Sequence, residues 1–111
     1  MLATMNHDYA TVEPARAEID ATPGALLLEF GAPWCPICRA AQAHIATAMQ
    51  DCPNLRHIKI EDGPGRRLGR SFRIKLWPTL VFMQDGVEIA RLVRPTSAAE
   101  ITQALARLSA G

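Results

Sequence analysis

The run Leu26-Leu27-Leu28-Glu29-Phe30 constrains this chain more than any other stretch. A strand with one wet face alternates apolar and polar residues. This run is apolar at every position but one, the pattern of a strand covered on both faces. At 111 residues the chain has room for one compact core and not for two ordinary domains. Both covers must therefore come from the rest of the same short chain.

The other elements supply them. Thr11 to Ile19 carries a helical start signal with Pro14 suited to a first turn, and Pro23-Gly24 ends it. After the apolar run, Ile37, Ala40, Ala41, His44, Ile45, Ala48 and Met49 recur at helical spacing, which predicts a helix from about Cys35 to Gln50. Leu55 to Glu61 alternates like a strand, Gly63-Pro64-Gly65 breaks the chain, and a short basic helix follows from Arg66 to Phe72. Thr79–Met83 and Val87–Val93 read as two strands joined at Gln84-Asp85-Gly86, a hairpin signal. Ser97 and Glu100 form a capping box that opens a last helix running through Leu108. A βαβ half followed by a ββα half predicts an α/β fold, a central mixed sheet of about four to five strands with helices on both faces. We expect a single domain over residues 1–111, with about residues 1–10 as an N-terminal tail.

Charge and hydropathy narrow the function. Net charge is +1, so bulk electrostatics recruits neither nucleic acid nor an acidic membrane. No run approaches the ~18 apolar residues of a membrane span. The N-terminus shows no basic region followed by an apolar one, so the expected compartment is cytoplasmic, or periplasmic if a signal peptide has been removed.

Chemistry concentrates in Trp34-Cys35-Pro36-Ile37-Cys38. Two cysteines at this spacing are a redox pair, half of a metal site, or two small buried hydrophobes. Zinc wants four ligands, usually in two pairs. The third cysteine, Cys52, stands alone, and His7, His44 and His57 show no ligand spacing to one another. The redox reading fits the position best. Cys35 falls where a strand gives way to a helix, and free N–H groups and the positive end of the helix dipole there stabilise a thiolate. Cys38, one turn on, can resolve a mixed disulfide formed at Cys35.

At this point the chain resembles the thioredoxin family along nearly all of its length. Phe30-Gly31-Ala32-Pro33-Trp34-Cys35-Pro36-Ile37-Cys38, then Trp77-Pro78-Thr79 before a strand, then Asp85-Gly86 and a final helix carry the resemblance. The resemblance implies a thioredoxin-like fold and thiol–disulfide exchange, with Cys35 as nucleophile, Cys38 as resolving thiol and Pro78 as a cis-proline beside the sulfurs. It further implies that Trp34, Trp77, Pro78, Thr79 and Arg94 form the edge where a substrate strand docks, a form of β-augmentation. Glu29 stands where thioredoxins carry a buried aspartate that moves a proton to and from the resolving cysteine. Burial disfavours the charged form of a carboxylate, which suits Glu29 to that task. Lys59 aligns with a family lysine that approaches this acid, or is a solvated strand residue. The implied partners are disulfide-containing protein substrates and a recycling reductase or dithiol. The dithiol carries the electrons, so no cofactor or metal is expected, and the protein is expected to be a monomer.

Several positions depart from the family pattern. Pro-Ile replaces Gly-Pro between the cysteines, and that dipeptide tunes poise in a family spanning about −270 mV to about −120 mV. Reductant is the expected direction; an oxidase or isomerase of the same fold, or a binding module in which redox is secondary, are the alternatives. Gly31 replaces an aromatic, Trp77 an aliphatic residue and Arg94 a glycine, which predicts a bulkier, more positive groove. Trp77 is expected to cover the Cys35 sulfur in part or to anchor a partner. Arg66, Arg67, Arg70, Arg73 and Lys75 lead into this loop, and either face the site or form a solvated surface. His44 reads as packed, and His57 and His7 are assigned no role.

Overall fold

The computed structural model describes residues 8–108. The order of elements is α1 (Arg16–Asp20), β1 (Ala25–Gly31), α2 (Pro36–Met49), β2 (Arg56–Glu61), α3 (Arg67–Ser71), β3 (Thr79–Gln84), β4 (Val87–Val93) and α4 (Ala98–Leu105). The strands form one four-stranded sheet in the order β2-β1-β3-β4. β1 pairs parallel with β2 and antiparallel with β3, and β3 pairs antiparallel with β4. The sheet is mixed, as the sequence predicts.

β1 is central and buried on both faces, which explains its nearly unbroken apolar run. Leu26, Leu28 and Phe30 point to one side and pack with Ile19 of α1, Leu68 of α3 and Phe72. Leu27 points to the other and packs with Ala41, Ile45 and Met49 of α2 and Ile101 and Leu105 of α4. Each buried leucine or phenylalanine of this kind contributes about 1.5–3 kcal/mol. Glu29 shares the Leu27 side, beneath α2.

Local signals set the ends. Asp85 and Gly86 have φ of 51° and 80°, the paired left-handed residues of a type I′ hairpin whose twist suits the strands. A Cβ on Gly86 would collide with the Asp20 carbonyl, because the turn after α1 docks here. Ser97 Oγ accepts from the Glu100 N–H at 3.3 Å and opens α4. Two helices are shorter than expected. Pro14 lies ahead of α1, which begins only at Arg16 after the Glu18 carboxylate accepts the Ala15 N–H at 3.0 Å. α4 ends at Leu105, and residues to Leu108 form a turn rather than helix. Of the expected tail, residues 1–7, His7 included, lie outside the described residues. Tyr9 bridges Lys59 in parallel, and Ala10 N–H donates to the Lys59 carbonyl at 2.9 Å along the outer edge of β2. No helix among the described residues is long and apolar enough to cross a membrane.

Candidate active site

Cys35 is the residue that caps α2, with Pro36 in the first turn, where its missing N–H costs nothing. The Cys38 N–H donates to Cys35 Sγ at 3.4 Å, and Cys35 N–H donates to the Ala32 carbonyl at 3.2 Å. Both cysteines are thiols here, at 6% and 1% exposure. Their environments drive them apart. Burial pushes Cys35 up, but hydrogen bonds from the Cys38 thiol and the Cys38 and Ile37 N–H groups, with the Arg94 charge, outweigh it and leave it below the ordinary thiol range. Burial, together with donation of its own proton to Cys35, pushes Cys38 up to about 12. One sulfur is made to be a thiolate and the other to keep its proton.

The loop before β3 lies against the sulfurs. The Trp77–Pro78 bond is cis, and Trp77 packs on Ala32, Cys35 and Cys38. Its indole Nε1–H donates to Asp62 Oδ2 at 2.9 Å, and Arg70 Nη2 donates to the same oxygen at 2.9 Å. Trp34 stands edge-on to Trp77 with ring centroids 5.6 Å apart. Arg94 Nε donates to the Trp77 carbonyl at 2.9 Å, and Arg94 N–H donates to the Pro78 carbonyl at 2.8 Å. Arg94 holds this place with φ of 53°, a left-handed backbone unusual for a bulky residue. Pro78 and Thr79 are buried, and the Thr79 hydroxyl donates to the Leu76 carbonyl at 2.7 Å, inside its own loop. Trp34, Trp77, Pro78 and Arg94 are thus gathered around Cys35, while the Thr79 side chain ties down the loop behind them.

On the opposite side of the sulfurs, under α2, lies a polar chamber. Glu29 is fully buried; Oε2 accepts from Gln42 Nε2 at 2.8 Å, and Oε1 is 2.9 Å from His57 Nε2. Gln42 Nε2 also donates to the Cys38 carbonyl at 2.9 Å, linking the acid to the second cysteine. Lys59 is buried, donates to Gln42 Oε1 at 3.1 Å and sits over the Tyr9 ring. Burial and the Glu29 charge hold the Tyr9 hydroxyl well above the usual phenol value. A groove of about 410 Å³ opens here, lined by Tyr9, Pro33, Cys38, Gln42 and Lys59 among others. A Cβ on Gly31 would come within 2.6 Å of Cys38 Sγ and 3.2 Å of the Tyr9 hydroxyl. Glycine at position 31 thus makes space for both.

Sequence reasoning missed His57, Gln42, Tyr9 and Asp62. A signal for His57 and Lys59 was present: they alternate with Ile58 and Ile60, and β1 beside them must be covered on both faces. The strand residues opposite Ile58 and Ile60 therefore had to be buried too. Of the basic cluster, Arg70 is bound to Asp62, while Arg66, Arg67, Arg73 and Lys75 are exposed. Cys52 packs at the rim of the α2–α4 core, and His44 is half-buried on α2. Among the described residues no group of three His, Cys, Asp or Glu could hold a metal ion.

A mixed sheet whose central strand leads to a Cys-x-x-Cys helix start, with a cis-proline loop against the sulfurs, defines the class of thioredoxin-like thiol–disulfide proteins. The family described as Thioredoxin matches residues 3–107, and the chain belongs to the thioredoxin family. Its members are thiol–disulfide oxidoreductases, typically reductants. Thioredoxin 2 from Pseudomonas aeruginosa PAO1, solved in its reduced form, is 52% identical, with a TM-score of 0.81 over 91% of this chain and 94% of that one. Thioredoxin C-3 of Corynebacterium nephridii is 30% identical over 78 residues, covering 70% of this chain and 54% of that protein. Thioredoxin Asp f 28 of Aspergillus fumigatus is 25% identical over 87 residues, 78% of this chain and 81% of that protein. The chain thus spans about half the length of the first of these curated relatives.

Proposed function

We propose that this protein reduces disulfides in protein substrates, acting as a monomer in the cytoplasm and recycled by a reductase. The observation that carries the reading is the dithiol at the start of α2, where the Cys38 N–H donates to Cys35 Sγ at 3.4 Å and Trp77 of the Pro78 loop packs on both sulfurs. The Cys35 thiolate attacks one sulfur of a substrate disulfide, and the other substrate sulfur leaves as a thiolate. Cys38 then gives its proton to Glu29, and its sulfur attacks Cys35 Sγ. The second substrate sulfur leaves, and a Cys35–Cys38 disulfide remains. The substrate gains two electrons and the protein loses two. Trp34, Trp77, Pro78 and Arg94 receive the substrate strand, with Thr79 bracing the loop. Arg94 already occupies the Trp77 carbonyl, so an incoming strand must displace it or bind alongside.

Equilibration in glutathione buffers, with free thiols counted by alkylation and mass, tests the direction. A couple near about −270 mV is expected, and one above about −180 mV would reassign the protein as an oxidase or isomerase. Absence of any reversible Cys35–Cys38 disulfide would favour a binding module instead.

A further inference from the structure

The mechanism above uses Glu29 and leaves unused the imidazole that touches it. Glu29 and His57 side chains are 0% and 1% exposed, on neighbouring strands, with Oε1 and Nε2 at 2.9 Å. Two bare acceptors do not approach so closely, so a proton lies between them, and with Glu29 as carboxylate it is the imidazole Nε2–H. The orientation of Gln42 is fixed as well. Its Oε1 takes the Lys59 donor, so its NH₂ faces Glu29 Oε2 and the Cys38 carbonyl. Both oxygens of Glu29 are therefore engaged before any proton arrives from Cys38.

We propose that His57 is a positioning residue for Glu29, and the second station for the proton that Cys38 releases. Before the resolving step the pair holds one proton. Cys38 S–H transfers its proton to the pair as its sulfur bonds to Cys35 Sγ and the substrate thiolate departs. The pair then holds two, as carboxylate with imidazolium or as neutral acid with neutral imidazole. In the first form Glu29 keeps its negative charge and its bond from Gln42, so the chamber need not rearrange to store the proton. The charged and titratable groups around the pair are Lys59 on β2, Cys38 on α2, Tyr9 on the edge segment, and Asp8 and Arg39 at the groove mouth. The proposal rests on the thiol–disulfide reading above.

Stopped-flow reaction of the reduced protein with excess dithiobis(nitrobenzoate), in a Cys52→Ser background throughout so that the third thiol releases nothing, separates the steps. Cys35 releases the first thionitrobenzoate at a rate proportional to reagent, and Cys38 releases the second at a rate independent of it. His57→Gln should slow the second release by about tenfold and alter its pH profile, with the first release preserved. In a Glu29→Gln background, His57→Gln should add nothing, since it acts through the acid. An unchanged second release and pH profile would overturn the proposal, as would an equal slowing in the Glu29→Gln background. If His57→Gln does not fold, the wild-type imidazole serves. Its nitrogen resonances should titrate differently in the reduced and disulfide forms, and identical titrations would overturn the proposal. A Cys52→Ser parent that never releases the second thionitrobenzoate would sink the oxidoreductase reading itself, a distinct outcome.

Discussion

Cys35 and Cys38 share one helical turn and one side-chain chemistry, yet they face unlike surroundings. Toward Cys35 lie two indoles, a proline loop and an exposed guanidinium, open enough that Trp34 is 66% exposed. Toward Cys38 lie a buried acid, imidazole, amide and ammonium, knit by hydrogen bonds between 2.8 and 3.1 Å. One side offers area and a cation, the other proton capacity. The comparison teaches that the two sulfurs differ both through their walls and through their places on the helix, where Cys35 alone takes the free N–H groups of the first turn.

The largest expected break in that comparison is removal of a sulfur. Cys35→Ser should lower disulfide reduction by about 10³-fold or more. Cys38→Ser should keep the first attack and accumulate a mixed disulfide visible by mass spectrometry. A Cys38→Ser protein that turns over normally would erase the distinction between the two. Next comes the space kept for Cys38. Gly31→Ala places a Cβ within 2.6 Å of its sulfur, so urea unfolding should show a loss of about 1–3 kcal/mol. Unaltered stability would mean that the chamber is looser than its contacts suggest.

The acid–base contrast has its own test. The Cys38 thiol is raised in the fold, so the folded state holds this proton more tightly than the unfolded chain does. Stability from this group is full below the ordinary thiol value of 9.0 and is lost as pH rises towards about 12. The melting temperature of the reduced protein should therefore fall through that window, and that of Cys38→Ala should fall less. The smallest effect is expected at Arg94. Arg94→Gly relieves a left-handed backbone worth about 1–2 kcal/mol and gives up a hydrogen bond worth about 1 kcal/mol. Stability should shift by less than about 1 kcal/mol, while the Cys35 thiol moves up as the cation is lost. Alkylation of Cys35 should then need higher pH, and an unchanged profile would remove Arg94 from the thiolate's support.

Much of this was legible in the sequence because its signals are local. A hairpin dipeptide, a capping serine and two cysteines at a strand-to-helix junction each depend on neighbours a few positions away. The partner of Glu29 is different in kind. His57 is 28 positions on and reaches the acid only because β2 lies parallel to β1 in a register that sets His57 beside Leu27. That register is fixed by the α2 crossover, which no short window contains. Helix ends were misjudged for a related reason. Pro14 fits a first turn in isolation, but the Glu18 carboxylate closes the cap at Ala15 instead.

The Trp34–Trp77 contact carries a practical consequence. The chain has two tryptophans, and both stand at the dithiol. Every photon of indole emission therefore originates within reach of the sulfurs, and nothing elsewhere in the molecule dilutes it. Conversion between thiols and disulfide, or arrival of a substrate strand at Trp77, changes the whole fluorescence signal rather than a fraction of it. The protein carries its own optical gauge of oxidation state, readable without a label.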